Sequence, residues 1–124
     1  MDFNSSAYEL GRMYYEMGYM APAERIFGGL ANTDEGSTPS RIGLGIIKLE
    51  GGLYEEAAYY FRASLENGNF MLQARLGLCC CFLASRETSR AISTLQQINK
   101  EHESELVHNP AMTRLWESLY IRCG

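Results

Sequence analysis

Between Leu49 and Leu65, in LEGGLYEEAAYYFRASL, two glycines precede a mixture of small and aromatic residues that suits a helix rather than a strand. An echo, YEMGYMAPAERIFGGL, ends at Leu30. Near the C-terminus, Met112, Leu115, Trp116, Leu119 and Tyr120 follow the i, i+3, i+4, i+7, i+8 spacing of an amphipathic helix. The pattern predicts an all-α chain.

Sliding the chain against itself by 34 residues pairs Ser6 with Ser40, Leu10 with Leu44, Gly11 with Gly45, Glu16 with Glu50, Gly18 with Gly52, Ala23 with Ala57 and Phe27 with Phe61. A further step carries Ala57 to Ala91 and Phe61 to Leu95. The Leu-Gly pair returns at Leu76 and Gly77, a spacing of 32, which predicts a linker two residues shorter and a following turn two residues longer. The chain therefore reads as one domain over residues 1–124. Repeat 1 covers about 5–37, repeat 2 about 38–68 and repeat 3 about 69–101, and a C-terminal helix covers about 109–122.

Each repeat divides into a first helix, A, and a second, B. Helix A of repeat 1 is expected from Ser6 to Met17, ended by Gly18, with Pro22 opening helix B where a missing N–H does no harm. Helix A of repeat 2 follows Thr38 and Pro39 after the polar linker LANTDEGSTPS, and helix B runs from Tyr54 to Glu66, stopping at Gly68. In repeat 3, Asn69 and Ser85 are the expected caps, with helix B continuing to Glu101; Asn109 and Pro110 then restart the chain. The last helix has no repeat partner, and covering the end of a stack is its simplest role; a docking surface for a partner is the alternative.

The residues Leu10, Gly11, Tyr14, Gly18, Ala23, Phe27, then Leu44, Gly45, Gly52, Ala57, Phe61, then Leu76, Gly77, Ala91, Leu95, at this period, resemble the tetratricopeptide repeat over about residues 5–100. Ala7 and Arg41 stand where that family usually has an aromatic, Lys48 where it usually has Tyr, and its proline between units is missing. The resemblance implies a right-handed superhelix of about three helix-turn-helix repeats plus a C-terminal capping helix. Glycines 11, 45 and 77 would let paired helices approach, Ala23, Ala57 and Ala91 would face them, and Phe27, Phe61 and Leu95 would fill the space beside them. Helix A of each unit would line the concave side.

On that side the expected groove residues are Tyr8, Arg12, Tyr15 and Glu16 from repeat 1, Ile42, Ile46, Leu49 and Glu50 from repeat 2, and Ala74, Leu78, Cys81 and Phe82 from repeat 3. They form an apolar trough with a polar, aromatic entrance, suited to an amphipathic helix or hydrophobic segment of a protein partner. The alternative is that the short stack curls and buries this stripe on itself or on its last helix. The clamp of Lys and Asn with which some tetratricopeptide domains hold acidic C-termini is absent; Tyr8, Arg12 and Met71 stand there, and only Arg75 is basic.

Charge and composition narrow the partner. With 46% hydrophobic and 21% charged residues and a net charge of −4, the chain lacks the basic stripe that binding phosphate backbones or anionic membranes requires. The longest apolar run, Leu76 to Ala84, is far shorter than the roughly 20 residues that span a bilayer, and the N-terminus has no signal-peptide pattern, so a cytoplasmic protein is expected.

Three of the four cysteines are consecutive, Cys79, Cys80 and Cys81; on a helix they point about 100° apart and cannot share a metal ion. Buried thiols in a reducing compartment are the simpler reading. His102 and His108 lack zinc spacing and are expected to be solvated, and Glu55 and Glu56 suit a helix N-terminus. Neither a catalytic constellation nor a cofactor or metal site is expected. Size, repeat count and groove character loosely resemble the bacterial type III secretion chaperones, which hold a translocator or needle subunit before export. Two further classes stay open: a self-associating scaffold that uses the same stripe or the Trp116 helix, and a thiol-dependent enzyme.

Overall fold

The structure, a computed structural model, describes residues 3–31, 37–67 and 70–124. Among the described residues every regular element is helical. Three pairs come first: α1 (Phe3–Glu16) with α2 (Met20–Leu30), α3 (Ser37–Glu50) with α4 (Tyr54–Ser64), and α5 (Met71–Ala84) with α6 (Thr88–Glu101). A 3-10 turn, Leu65–Asn67, extends α4; the short α7 (Glu103–Val107) and then α8 (Pro110–Cys123) complete the chain.

The period does not slip. α1, α3 and α5 start at residues 3, 37 and 71, and α2, α4 and α6 at residues 20, 54 and 88, a step of 34 each time. The expected 32-residue step into repeat 3 is therefore wrong: Gly77 stands one period after Gly43, and Cys79 one period after Gly45. The turns inside the pairs keep the same register, since the left-handed residues are Gly18 (φ 87°), Gly52 (φ 79°) and Arg86 (φ 62°). After each, the next amide reaches back five residues to close the helix: Tyr19 to Tyr14 at 2.8 Å, Leu53 to Lys48 at 2.9 Å, Glu87 to Phe82 at 2.7 Å.

Several smaller expectations shift with the coordinates. Pro22 lies in the first turn of α2, which opens at Met20, and α3 already includes Thr38 and Pro39. Ser85 closes α5 instead of capping α6, because the turn through Arg86 puts Glu87 at the cap position, without a side-chain cap bond. The expected cap Asn69 and the stop at Gly68 lie outside the described residues. Asn109 and Pro110 do open α8: the Asn109 side chain accepts from the Met112 amide at 3.2 Å, and Pro110 occupies the first turn.

What holds one pair to the next is a ring in a notch. A Cβ added at Gly11 would lie 2.7 Å from the Phe27 ring, and one at Gly43 would lie 2.9 Å from the same ring. Phe61 repeats the arrangement between Gly45 (2.7 Å) and Gly77 (2.5 Å). Each phenyl ring thus touches the helix A of its own pair and that of the next, where only a missing side chain leaves room. The third pair solves the same problem with different volumes, a buried Cys79 and the smaller, fully buried Leu95. The Cys79 thiol points at the Ala91 carbonyl, 3.7 Å away.

α8 covers the last pair. Met112, Trp116, Leu119 and Cys123 pack with Leu72, Leu76, Cys79, Leu95 and Ile98, and the Trp116 indole donates to the Leu95 carbonyl at 3.0 Å. Two of the five residues of the predicted stripe stay open: Leu115 and Tyr120 are exposed, with Tyr120 stacked on Trp116 at 5.3 Å.

Candidate functional site

Phe27 sets the floor of a cavity of about 200 Å³ between α1 and α3, because its ring fills the notch below and leaves the space above it open. α1 contributes Tyr8, Arg12, Tyr15 and Glu16, and α3 contributes Ile42, Gly43 and Ile46. These positions converge because i, i+4, i+7 and i+8 share one helix face. The Tyr8 ring tilts onto Phe27 at 5.6 Å, and burial raises its hydroxyl above the ordinary tyrosine range. Across the cavity, Tyr15 donates a hydrogen bond to the Glu50 carboxylate and so ties α1 to α3. Burial, then that carboxylate, pushes the Tyr15 hydroxyl up to about 12. The rim is ionised: Arg12 lies 3.6 Å from Glu9 and 3.2 Å from Glu16. The cavity therefore has an apolar floor and walls below a mixed-charge edge.

Leu49 belongs to a different opening. It lines a second cavity of about 490 Å³ with Tyr54, Cys80, Leu83, Leu119 and Arg122, where α8 meets α3 and α5. The four groove residues expected from repeat 3 do not extend the first cavity. Ala74, Leu78 and Cys81 are buried, Leu78 and Cys81 against Ala57, Ala58 and Phe61 of α4, and Phe82 lies under the Arg90 guanidinium, 5.9 Å from its ring centre. The cause is the assumed 32-residue step, since an error of two residues turns a helix by about 200° and exchanges its open face for its packed one. The residues one period after Ile42, Ile46, Leu49 and Glu50 are Leu76, Cys80, Leu83 and Ala84. Leu76, Cys80 and Leu83 pack in the cluster that α8 completes. In its third part, then, the trough is occupied by the chain's own last helix.

A repeated Arg-x-Gly-Leu, Arg41-Ile42-Gly43-Leu44 and Arg75-Leu76-Gly77-Leu78, carried the correct register in the sequence. The Leu-Gly pair at Leu76 masked it.

The cysteines and histidines lie outside this cavity. Burial pushes the Cys79 thiol up to about 12 and the Cys81 thiol to about 11; it also raises Cys80, which Arg122 partly opposes. Thiols held protonated in this way are poor nucleophiles. All four cysteines are free. Among the described residues no group of His, Cys, Asp and Glu could hold a metal ion, and no helix is long and apolar enough to cross a membrane.

His102 is buried, against the expectation that both histidines are solvated. Its Nε2 lies 2.7 Å from an Arg75 nitrogen and its Nδ1 lies 2.8 Å from Glu105. Arginine only donates, so Nε2 accepts and Nδ1 carries the proton given to Glu105. His108 is exposed. Lys48 is also occupied, 2.7 Å from Glu24 and 3.6 Å from Glu56, which links α3 to α2 and α4.

Compared with protein-family models, with curated proteins and with solved structures, the chain matches none.

Proposed function

We propose that the chain is a protein-binding module of the tetratricopeptide kind, in which the interval between α1 and α3 takes apolar side chains from an amphipathic helix or hydrophobic segment of a partner. One observation carries the reading: a cavity of about 200 Å³ with a Phe27, Ile42 and Ile46 interior and an Arg12, Glu16 and Tyr15 rim. Its size suits a large apolar side chain, and its rim suits the polar flank of the same segment. The module works by sequestration, covering a surface that would otherwise aggregate or insert into a membrane. A cytoplasmic chaperone for a secreted translocator or needle subunit is the narrower form of this reading, supported by size, repeat count and the apolar character of the interval.

Ile46→Arg tests it, because Ile46 lines the cavity where α1 carries Arg12; Ile46 also packs against the Phe61 cluster, so helical content is the folding control. Co-purification of a partner should fall at least ~10-fold, the loss expected for a cation facing an apolar anchor, with helical content unchanged. Undiminished co-purification would sink the assignment.

A second reading, self-association, has its own observation. Leu10 and Met13 stand one period before Leu44 and Ile47 and two before Leu78 and Cys81, all buried, yet they are 45% and 54% exposed. Glu9 occupies the position of the notch glycines Gly43 and Gly77, so a helix led by a phenyl ring cannot dock on α1 as α2 and α4 dock on α3 and α5. Light scattering across concentration separates the readings: a dimer that survives Ile46→Arg but not Met13→Glu favours the second.

A further inference from the structure

Arg41 and Arg75 hold the same position one period apart, and only Arg75 is neutralised. The Arg75 guanidinium donates to Glu101 and to Nε2 of His102. One period earlier these partners are Asn67 and Gly68, neither of which carries charge. Arg41 accordingly has no carboxylate partner among the described residues, and neither has Arg62. Both line one cavity of about 500 Å³ formed by α2, α3, α4 and the turn that follows, with Tyr59, Tyr60, Glu66 and Gly28 among its walls. It shares no residue with the α1–α3 cavity.

Two arginines without a carboxylate partner among the described residues line this cavity, in a chain of net charge −4, and make it a local positive site, Arg62 standing also beside the opening at Phe82 and Arg90. We propose that this cavity binds a phosphate monoester whose organic group bears a flat aromatic ring. Guanidinium forks match the oxygens of a phosphate dianion in paired hydrogen bonds, and two forks match its double charge better than a single carboxylate would. Among the described residues Glu66 is the one acidic wall, and it lies beyond ion-pair distance of either arginine, so the described lining carries a net charge of plus one. The volume exceeds what a bare phosphate fills and falls within the range of small-ligand sites, about 300–1,000 Å³. Tyr59 and Tyr60 meet edge to face at 5.4 Å, and Tyr59 is 67% exposed, which leaves an aromatic surface beside the arginines for the ring.

The test is a titration of the full chain with phenyl phosphate, AMP and inorganic phosphate, followed by amide NMR. Saturable shifts at Gly28, Tyr59 and Tyr60 are expected with at least one ring-bearing ester at a Kd below ~1 mM, with inorganic phosphate at least ~10-fold weaker. Whether phenyl phosphate or AMP binds tighter identifies an aryl or a nucleoside ester as the class. Arg41→Gln and Arg62→Gln should each weaken binding ~10-fold and the double variant abolish it, whereas Arg25→Gln, outside the cavity, should not. Absence of saturation at ~10 mM of every probe would overturn the proposal. So would unchanged binding in the double variant, or inorganic phosphate binding as tightly as the esters. None of these outcomes bears on Ile46 or the α1–α3 interval.

Discussion

The two ends of the stack treat the same helix face differently. Between α1 and α3 the face carries Tyr8, Arg12, Tyr15 and Glu16 and stays open above Phe27. On α5 it carries Leu76, Cys80 and Leu83 and is packed against Met112, Trp116 and Leu119 of α8, with Cys80 and Leu83 also on the wall of the cavity shared with Leu49. One 34-residue frame therefore yields a surface at one end and a core at the other, and the choice lies in four side chains per helix. An arginine or glutamate at these positions keeps water, while leucine and cysteine admit a covering helix.

The largest test removes the seal. Trp116→Ala deletes a ring packed on the last pair and its hydrogen bond to the Leu95 carbonyl, and should cost about 3 kcal/mol in urea unfolding. It should also raise the reactivity of Cys79 and Cys80 toward a thiol reagent; unchanged reactivity would mean that α8 does not close this interval.

A smaller loss sharpens the contrast between the two kinds of joint. Leu95→Phe places a phenyl ring against Cys79 and should cost about 2 kcal/mol by overpacking. Adding Cys79→Gly recreates the notch of Gly11 and Gly45 and should recover at least half of that loss. If the double variant is as unstable as the sum of the single ones, the two joints are not alternative solutions to one packing problem.

Alkaline titration separates the ends by chemistry. The sealed end holds the thiols, with Cys79 pushed up to about 12 and Cys81 to about 11, and the open end holds Tyr15, pushed up to about 12. Because these folded-state values lie above the unfolded ones, the unfolded chain releases its protons first. Their contribution to stability is complete below about pH 9 and is lost as the pH rises from there toward 12. Replacing Cys79, Cys80 and Cys81 by Ala should delay the onset to about pH 10, whereas Tyr15→Phe should leave the onset at pH 9 and reduce the later loss. An onset that ignores the cysteines would contradict their burial.

The smallest effect is a gain. The Ser40 hydroxyl is fully buried without a hydrogen-bond partner among the described residues, and one period later the same place holds the buried Ala74. Ser40→Ala should stabilise the chain by about 1 kcal/mol, measured as a shift in the urea midpoint at constant slope.

The helix pairs, the fully buried Ala23, Ala57 and Ala91, and the start of α8 at Asn109 and Pro110 were legible in the sequence. Each is a strong local signal: a small residue at a close approach, a ring beside it, a cap followed by proline. The frame of the first helix of the third repeat was misread, because Cys79 replaces the glycine that marks the first two and the Leu-Gly pair at Leu76 hid the repeated Arg-x-Gly-Leu. The left-handed turn at Arg86 was hidden for the same reason, since a long charged side chain does not advertise a positive φ. His102 looked like a surface residue until the α6–α7 corner brought it against Arg75 and Glu105. The open interval was legible on α1 and α3; its closure at α5 depends on where α8 folds back, which no local pattern encodes.

The ring-and-notch joint also makes the chain a ruler. Each phenyl ring must find glycine both behind it and ahead of it, so the unit that can be copied without loss of fit is a segment from one helix A to the next. A second copy of residues 37–70, spliced in before Met71, would offer Phe61 another Gly43 and leave every later notch in step. Length could then grow by whole repeats while both ends, the open one and the sealed one, keep their character.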